Sequence, residues 1–170
     1  MNVKFLNPFV EAAFEVIRAE TGFELSRGEL GLEKEPYMTD DITVIISLIG
    51  GVEGNVFYSM SSDTGRYLAA QILGEPVGEF DMLAQSGIAE LGNVITGRAS
   101  VKLSQSGYES TISPPALLLG KGATISTLDY VRLTVPMTGE CGTLVIHLAL
   151  RQGRDKNFST AQVPVAQLKV

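Results

Sequence analysis

The chain of 170 residues is 45% hydrophobic and 19% charged, which suits one compact domain with a real core and makes two independent domains a tight fit. With 13 basic against 19 acidic residues the net charge is -6, so nothing electrostatic points to nucleic acid or an anionic membrane, and a protein partner or small ligand is expected instead. A single cysteine, Cys141, excludes an intramolecular disulfide, a single histidine, His147, excludes a His/Cys zinc cluster, and both fit a reducing, cytoplasmic setting.

The N-terminal stretch has acids at Glu11 and Glu15, only Lys4 before them and no uninterrupted apolar run, which reads against a signal peptide. No segment approaches the roughly 18 to 20 apolar residues that span a bilayer. From Val3 to about Ala19, Leu6, Phe9, Val10, Ala13, Phe14 and Ile17 recur at spacings of three and four, predicting a helix with one buried face that Gly22 stops. Residues 23–37 are polar and glycine-interrupted, at best an edge strand before Pro36.

"DITVIISLIGGVEGNVFYSM" reads as a hairpin of two β-branched runs turning at Gly50, Gly51 and Gly54. Ser61, Ser62 or Asp63 then caps a second helix over 62–74, with Tyr67, Leu68, Ile72 and Leu73 as its apolar face. A loop with Pro76 leads into a third helix from about Asp81 to Ser104, with Met82, Leu83, Ile88, Ala89, Leu91, Ile95, Ala99 and Leu103 as its apolar stripe. After Gly107 come "YESTIS", the breaker pair Pro114 and Pro115, "ALLLG", and a closing hairpin from Asp129 to Leu150.

A shift of 88 positions superposes Asp41 on Asp129, Gly51 on Gly139 and Gly54 on Gly142, which reads as a degenerate internal duplication, the alternative being a chance match between two hairpins that both turn on glycine. The expected fold is α/β (α+β): a pseudo-twofold pair of helix-plus-hairpin halves sharing one antiparallel-rich sheet, with the long helices on its surface. One domain over residues 1–150 is expected, with halves about 1–61 and 80–150 joined by helix 62–74 and a tail, 151–170, that belongs to neither.

At 3.6 residues per turn, Ser86, Glu90, Asn93, Gly97, Ser100 and Ser104 fall along one line of the third helix. A solvated face is normally filled with Lys, Glu, Gln and Arg. Here two functional groups stand among small residues, which suits the close approach of another surface. Gly87 and Gly92 point away from the line and are expected to let the helix lie close to its own core, whereas Gly97 leaves room beside Asn93.

Ser86, Glu90 and Asn93, followed downstream by Pro114 and Pro115, resemble the signature of the CheC/CheX/FliY family of chemotaxis phosphatases. The 88-residue shift places Asn2 and Phe5 where a second Glu and Asn would stand, so one site remains, as in the CheX branch. The resemblance implies a CheC/CheX-like fold and a cytoplasmic homodimer, joined through edge strands that would otherwise be exposed. It also implies hydrolysis of the aspartyl-phosphate of a CheY-like response regulator.

In that reading the protein has no cofactor or metal of its own, and the regulator supplies Mg2+. Asn93 positions the attacking water and Glu90 pairs with the regulator's active-site Lys. Ser86, Gly97, Ser100, Pro114 and Pro115 contact the partner, and Arg98 and Lys102 offset the acidity of both proteins. The rival is a noncatalytic chemotaxis or flagellar-switch-like module that docks a partner on the same face.

Other features invite local explanations. His147 reads as a hydrogen-bonded strand residue, so a Ser-His-Asp or Cys-His mechanism has no promising base. Cys141 belongs to a turn and Asp40–Asp41 to the start of a strand, and "GKGAT" lacks the spacing of a phosphate loop.

Overall fold

Periodic apolar residues near the N-terminus become helix α1 (Leu6–Thr21), which follows a 3-10 turn at Val3–Phe5 in a computed structural model describing residues 3–128 and 130–153. Its buried side chains include Leu6, Phe9, Val10, Ala13 and Ile17. The helix ends where Gly22 turns into the left-handed region at φ 74 and donates its N–H to Arg18 O. The strands that follow are β1 (Ser26–Arg27), β2 (Gly31–Glu33), β3 (Tyr37–Met38), β4 (Ile42–Gly50) and β5 (Val52–Met60).

Helix α2 (Ser62–Leu73) starts under the Ser61 hydroxyl, which accepts from Thr64 N–H, and helix α3 (Met82–Gln105) starts under Asp81, whose carboxylate accepts from Leu83 and Ala84 N–H. The chain closes with β6 (Ser110–Ile112), β7 (Ala116–Leu119), β8 (Thr124–Ile125), β9 (Arg132–Gly139) and β10 (Gly142–Gln152).

Eight strands form one antiparallel sheet in the order β1-β9-β10-β5-β4-β6, with β2 also on β9 and β7 also on β4, while β3 and β8 pair separately. The two long hairpins therefore lie side by side, β5 against β10, as the expected shared sheet requires. The polar segment 23–37 supplies the edge strands β1 and β2. At the opposite edge, β6 and β7 are one interrupted strand along β4: Leu48 pairs Ile112 and Ile45 pairs Ala116, so the prolines occupy a bulge of one extra residue.

Alternation along the strands divides the sheet into two faces. Val44, Ile46, Tyr58, Val135 and Ile146 are buried among the helices, each such side chain contributing about 1.5–3 kcal/mol of apolar burial. The other face carries Thr43, Ser59, Thr134 and His147, and the Tyr37 ring lies 4.4 Å from the His147 ring and 5.7 Å from that of Phe57.

A uniform shift of 88 does not carry one hairpin onto the other. It would map the Leu48–Gly54 pair onto Pro136–Gly142, but Pro136 pairs Val145 and Gly142 pairs Gly139. The matched glycines also do different work. Gly54 lies within β5 at φ 133, where a Cβ would come within 2.1 Å of Ala149 O, whereas Gly142 opens β10 beside its turn. Asp129 and Asn2 of the proposed correspondence lie outside the described residues, and Phe5 is a fully buried core residue. Strand β10 continues past residue 150, pairing Arg151 with Glu53 and Gln152 with Val52, and positions 154–170 of the tail lie outside the described residues.

Candidate active site

Helix α3 is held to the body from three directions. Gly92 lies on the sheet so closely that a Cβ there would stand 2.9 Å from Val44 Cγ1 and 3.2 Å from Tyr58 Cδ2. Beside it Tyr58 Oη and Thr96 Oγ1 share a buried 2.8 Å hydrogen bond, and Thr96 Oγ1 also donates to Gly92 O at 2.8 Å. Burial pushes the Tyr58 phenol well above its ordinary range, so it stays protonated. Ser100 Oγ donates to Ser110 O at 3.0 Å, tying the helix to the edge strand β6.

The third tie corrects an expectation. Lys102 Nζ lies 2.8 Å from Glu15 Oε1 and 3.2 Å from Glu11 Oε2, and Arg98 Nη1 lies 3.3 Å from Glu15 Oε2. Hydrogen bonding from Lys102 lowers the Glu15 pKa, and the same bond raises that of Lys102. Both cations are therefore already paired with carboxylates of α1 and do not offset the acidity of the exposed face.

Met82 and Leu83 are also exposed, at 82% and 55%, because the buried arc of α3 runs through Ala84, Ile88, Leu91, Gly92, Ile95, Thr96, Ala99 and Leu103. The same helical period places residues 82 and 83 on the side of Ser86 and Glu90. In α2, Tyr67 is likewise exposed and stacks on Phe23 at 5.3 Å, leaving Thr64, Gly65, Leu68 and Ala69 as its buried face.

The outward side of α3 brings the central pair together. Glu90 is exposed, Asn93 is partly exposed, and Asn93 Nδ2 donates to Glu90 Oε2 at 3.4 Å. This orients the amide and leaves Oδ1 as an acceptor without a partner among the described residues. Ser86 is exposed one turn before Glu90, with its hydroxyl donated to Met82 O at 2.9 Å. Gly97 is open: a Cβ there would meet only Ile112 Cδ1, at 3.9 Å. Gly87 has similar space, 3.9 Å from Ile72 Cγ2, so of the two glycines expected to allow close packing only Gly92 is required for it.

Ser100 faces β6 rather than an open surface. Pro114 and Pro115 sit in the bulge just beyond Ile112, and the edge strand reaches the exposed line through the Ile112 side chain. A groove of about 550 Å³ results, lined by Asn93, Val94, Gly97, Arg98, Val101 and Ile112. Sequence reasoning missed Val94, Val101 and Ile112. The two valines have a local signal, since they follow the Glu90–Gly97 line on one shoulder of the helix, but Ile112 comes from a separate strand.

The other polar candidates lie elsewhere. His147 Nε2 is 2.9 Å from Ser59 Oγ on the sheet face opposite the helices, and burial, reinforced by Arg132, lowers its pKa to about 3. Cys141 is buried at the β9–β10 turn, where desolvation raises its pKa. Asp41 accepts the Ser62 N–H, and the Gly120, Gly122 and Ala123 amides of "GKGAT" donate to Asp41 O, Thr39 O and Thr39 Oγ1. Among the described residues no three His, Cys, Asp or Glu side chains gather to hold a metal ion, and no helix is long and apolar enough to cross a membrane.

One carboxylate and one amide on an open, narrow ridge can accept from a cation and from a water, and can enter a recess in another macromolecule. Comparisons with known proteins place the whole chain rather than this site. Residues 42–138 match the family described as Chemotaxis phosphatase CheX. The CheY-P phosphatase CheX of Thermotoga maritima is 28% identical over 155 residues, covering 90% of this chain and 99% of that protein.

A CheC-like superfamily protein from Shewanella sp. PV-4 superposes with a TM-score of 0.81 at 27% identity, over 89% of this chain and 99% of that one. The CheX-CheY-BeF3-Mg2+ complex from Borrelia burgdorferi contains a chain that superposes with a TM-score of 0.73 at 28% identity, over 89% of this chain and all of that one. With more than half of its length matched by the family profile, and with the mixed fold and large antiparallel sheet of these relatives, the chain belongs to the chemotaxis phosphatase CheX family.

Proposed function

We propose that this protein hydrolyses the aspartyl-phosphate of a CheY-type response regulator, using Asn93 to hold the attacking water and Glu90 to pair with a lysine of the regulator. The observation that carries the reading is the Glu90–Asn93 pair itself, one turn apart on an exposed ridge, with Asn93 Oδ1 still available as an acceptor.

Phosphoryl transfer from an acyl phosphate passes through a loose transition state, so the chemistry needs positioning and charge neutralisation rather than a strong base. The regulator brings the phosphoryl group and its Mg2+, and no step draws on a metal site of this chain. Asn93 Oδ1 accepts a hydrogen bond from water and orients it in line with the scissile P–O bond. Glu90 gives up its long contact with Asn93 for a charge-assisted bond to the regulator's lysine, which seats the ridge in the phosphorylated pocket. Ser86 and Gly97 frame the contact, and the Pro114–Pro115 bulge shapes the neighbouring edge that meets the partner.

The test is the decay of a phosphorylated CheY-type regulator, freed of phosphodonor, with and without this protein and its Asn93→Ala variant. Acceleration by the unaltered protein and its loss in the folded variant support the reading. Equal acceleration by both overturns the role of Asn93, and no acceleration by either favours the docking-module alternative. We also propose a homodimer in which one of the open sheet edges, β1–β2 or β6–β7, meets a second copy; sedimentation as a monomer at micromolar concentration would refute it.

A further inference from the structure

The groove beside Asn93 has no part in the hydrolytic step as described, yet it shares a wall with it. We infer that this groove, between α3 and β6, receives an apolar side chain of the phosphorylated receiver domain, next to its phosphorylation site, and so helps select which regulator is dephosphorylated. The inference rests on the functional reading above and adds a recognition element to it.

Three observations favour this occupant. Asn93 lines the groove and also carries the acceptor assigned to the water, so a molecule that brings its phosphoryl group to Asn93 also covers the groove. The walls beyond Asn93 are apolar: Val101 is 59% exposed, while Val94 and Ile112 are anchored against the core and give the groove a fixed shape. Its one cation, Arg98, is paired with Glu15, so recognition there depends on shape and apolar burial rather than on charge.

The floor is suited to the task. At Gly97 a Cβ would be in ordinary contact with Ile112 Cδ1 at 3.9 Å, so the space exists because position 97 has no side chain, and a longer residue there would fill it. An apolar group entering the groove displaces water that has few polar partners on the walls, which is favourable in proportion to the area covered.

The experiment measures initial rates of dephosphorylation over a range of concentrations of a phosphorylated CheY-type regulator. It compares the full chain with Gly97→Leu, which fills the groove, Val101→Ser, which removes apolar wall, and Val101→Ile, which preserves it. Both altered positions are on the outer side of α3, and circular dichroism confirms that each variant is folded. Gly97→Leu and Val101→Ser should each raise KM about tenfold, the scale set by losing one or two apolar contacts, with kcat within about twofold.

Val101→Ile should keep the original KM, and the differences seen in the other two variants should persist at about 0.5 M salt because charge is not the source. An active unaltered protein whose KM is indifferent to both substitutions overturns the groove's role and leaves the phosphatase reading intact. A fall in kcat without a change in KM overturns it too, assigning these residues to the placement of Asn93. Altered self-association without altered KM would assign the groove to a second copy. Inactivity of the unaltered protein removes the functional reading, and the groove's role with it.

Discussion

Asn93 Nδ2 stands 3.4 Å from Glu90 Oε2, one helical turn away on the outer face of α3, so the carboxylate orients the amide that it accompanies. In the proposed complex Glu90 leaves this contact for the regulator's lysine while Asn93 holds the water, so the two side chains have separable tasks. Asn93→Ala should lower kcat by about 100-fold, the scale of removing one positioned hydrogen-bonding group from a transition state, with modest loss of binding. Glu90→Ala should raise KM by about 10-fold to 100-fold through loss of a charge-assisted hydrogen bond, and Glu90→Gln should fall between. Initial rates with a phosphorylated regulator separate these effects; identical kinetic defects in Glu90→Ala and Asn93→Ala would contradict the division of labour.

Gly92 sets how near the helix lies to the sheet, because a methyl group there would press on Val44 at 2.9 Å and on Tyr58 at 3.2 Å. Gly92→Ala gains helix propensity of about 1 kcal/mol but overpacks a core contact, at a cost of about 1–3 kcal/mol. A net loss of stability is expected in urea unfolding, together with raised KM as the ridge shifts outward. Gly97→Ala, which has room, should be neutral or stabilising, and equal destabilisation of the two variants would count against the packing argument.

The buried hydroxyls that join α3 to β5 make an asymmetric pair. Thr96 Oγ1 accepts from Tyr58 and donates to Gly92 O, so Tyr58→Phe leaves Thr96 with a partner, whereas Thr96→Val strands the Tyr58 hydroxyl. An unsatisfied buried hydroxyl costs about 1–3 kcal/mol, against about 1 kcal/mol for a typical hydrogen bond. Thr96→Val should therefore unfold at a lower urea concentration than Tyr58→Phe. The reverse order would show that Tyr58 finds another partner.

His147 is buried and neutral, with its pKa lowered to about 3 by desolvation and by Arg132. The unfolded chain binds a proton near pH 6.5, which the folded chain does not take up until about pH 3, so stability is full above the unfolded pKa and falls as pH drops between them. Within that window this one group contributes a slope approaching about 1.4 kcal/mol per pH unit. His147→Gln should flatten the dependence of unfolding free energy on pH between 6 and 4, as measured in urea at several pH values. An unchanged slope would move the acid sensitivity to the carboxylates.

Glu15 holds Arg98 and Lys102 together across α1 and α3. Exposed pairs of this kind contribute little, so Glu15→Gln should change stability by less than about 1 kcal/mol. It should, however, release positive charge beside the site and lower KM for an acidic regulator at low salt, an effect that disappears as salt is added. A KM that is indifferent to this substitution at all salt concentrations would show that these cations do not sense the partner.

Local patterns, legible without the fold, determined the helices, the Gly22 stop, both hairpins and the line from Ser86 through Glu90 and Asn93 to Gly97. Such features depend on residues three or four positions apart in a helix, or two apart in a strand, and those neighbours are written side by side in the chain. Only the tertiary structure decided that Gly54 lies within a strand rather than a turn, and that Met82 and Leu83 remain outside. Only it paired Arg98 and Lys102 with α1, and brought Ile112 beside Gly97 to form a groove next to Asn93. Arg98 and Glu15 are 83 positions apart, and contacts over such separations follow from the path of the whole chain and the burial of its shared core, which no local periodicity records.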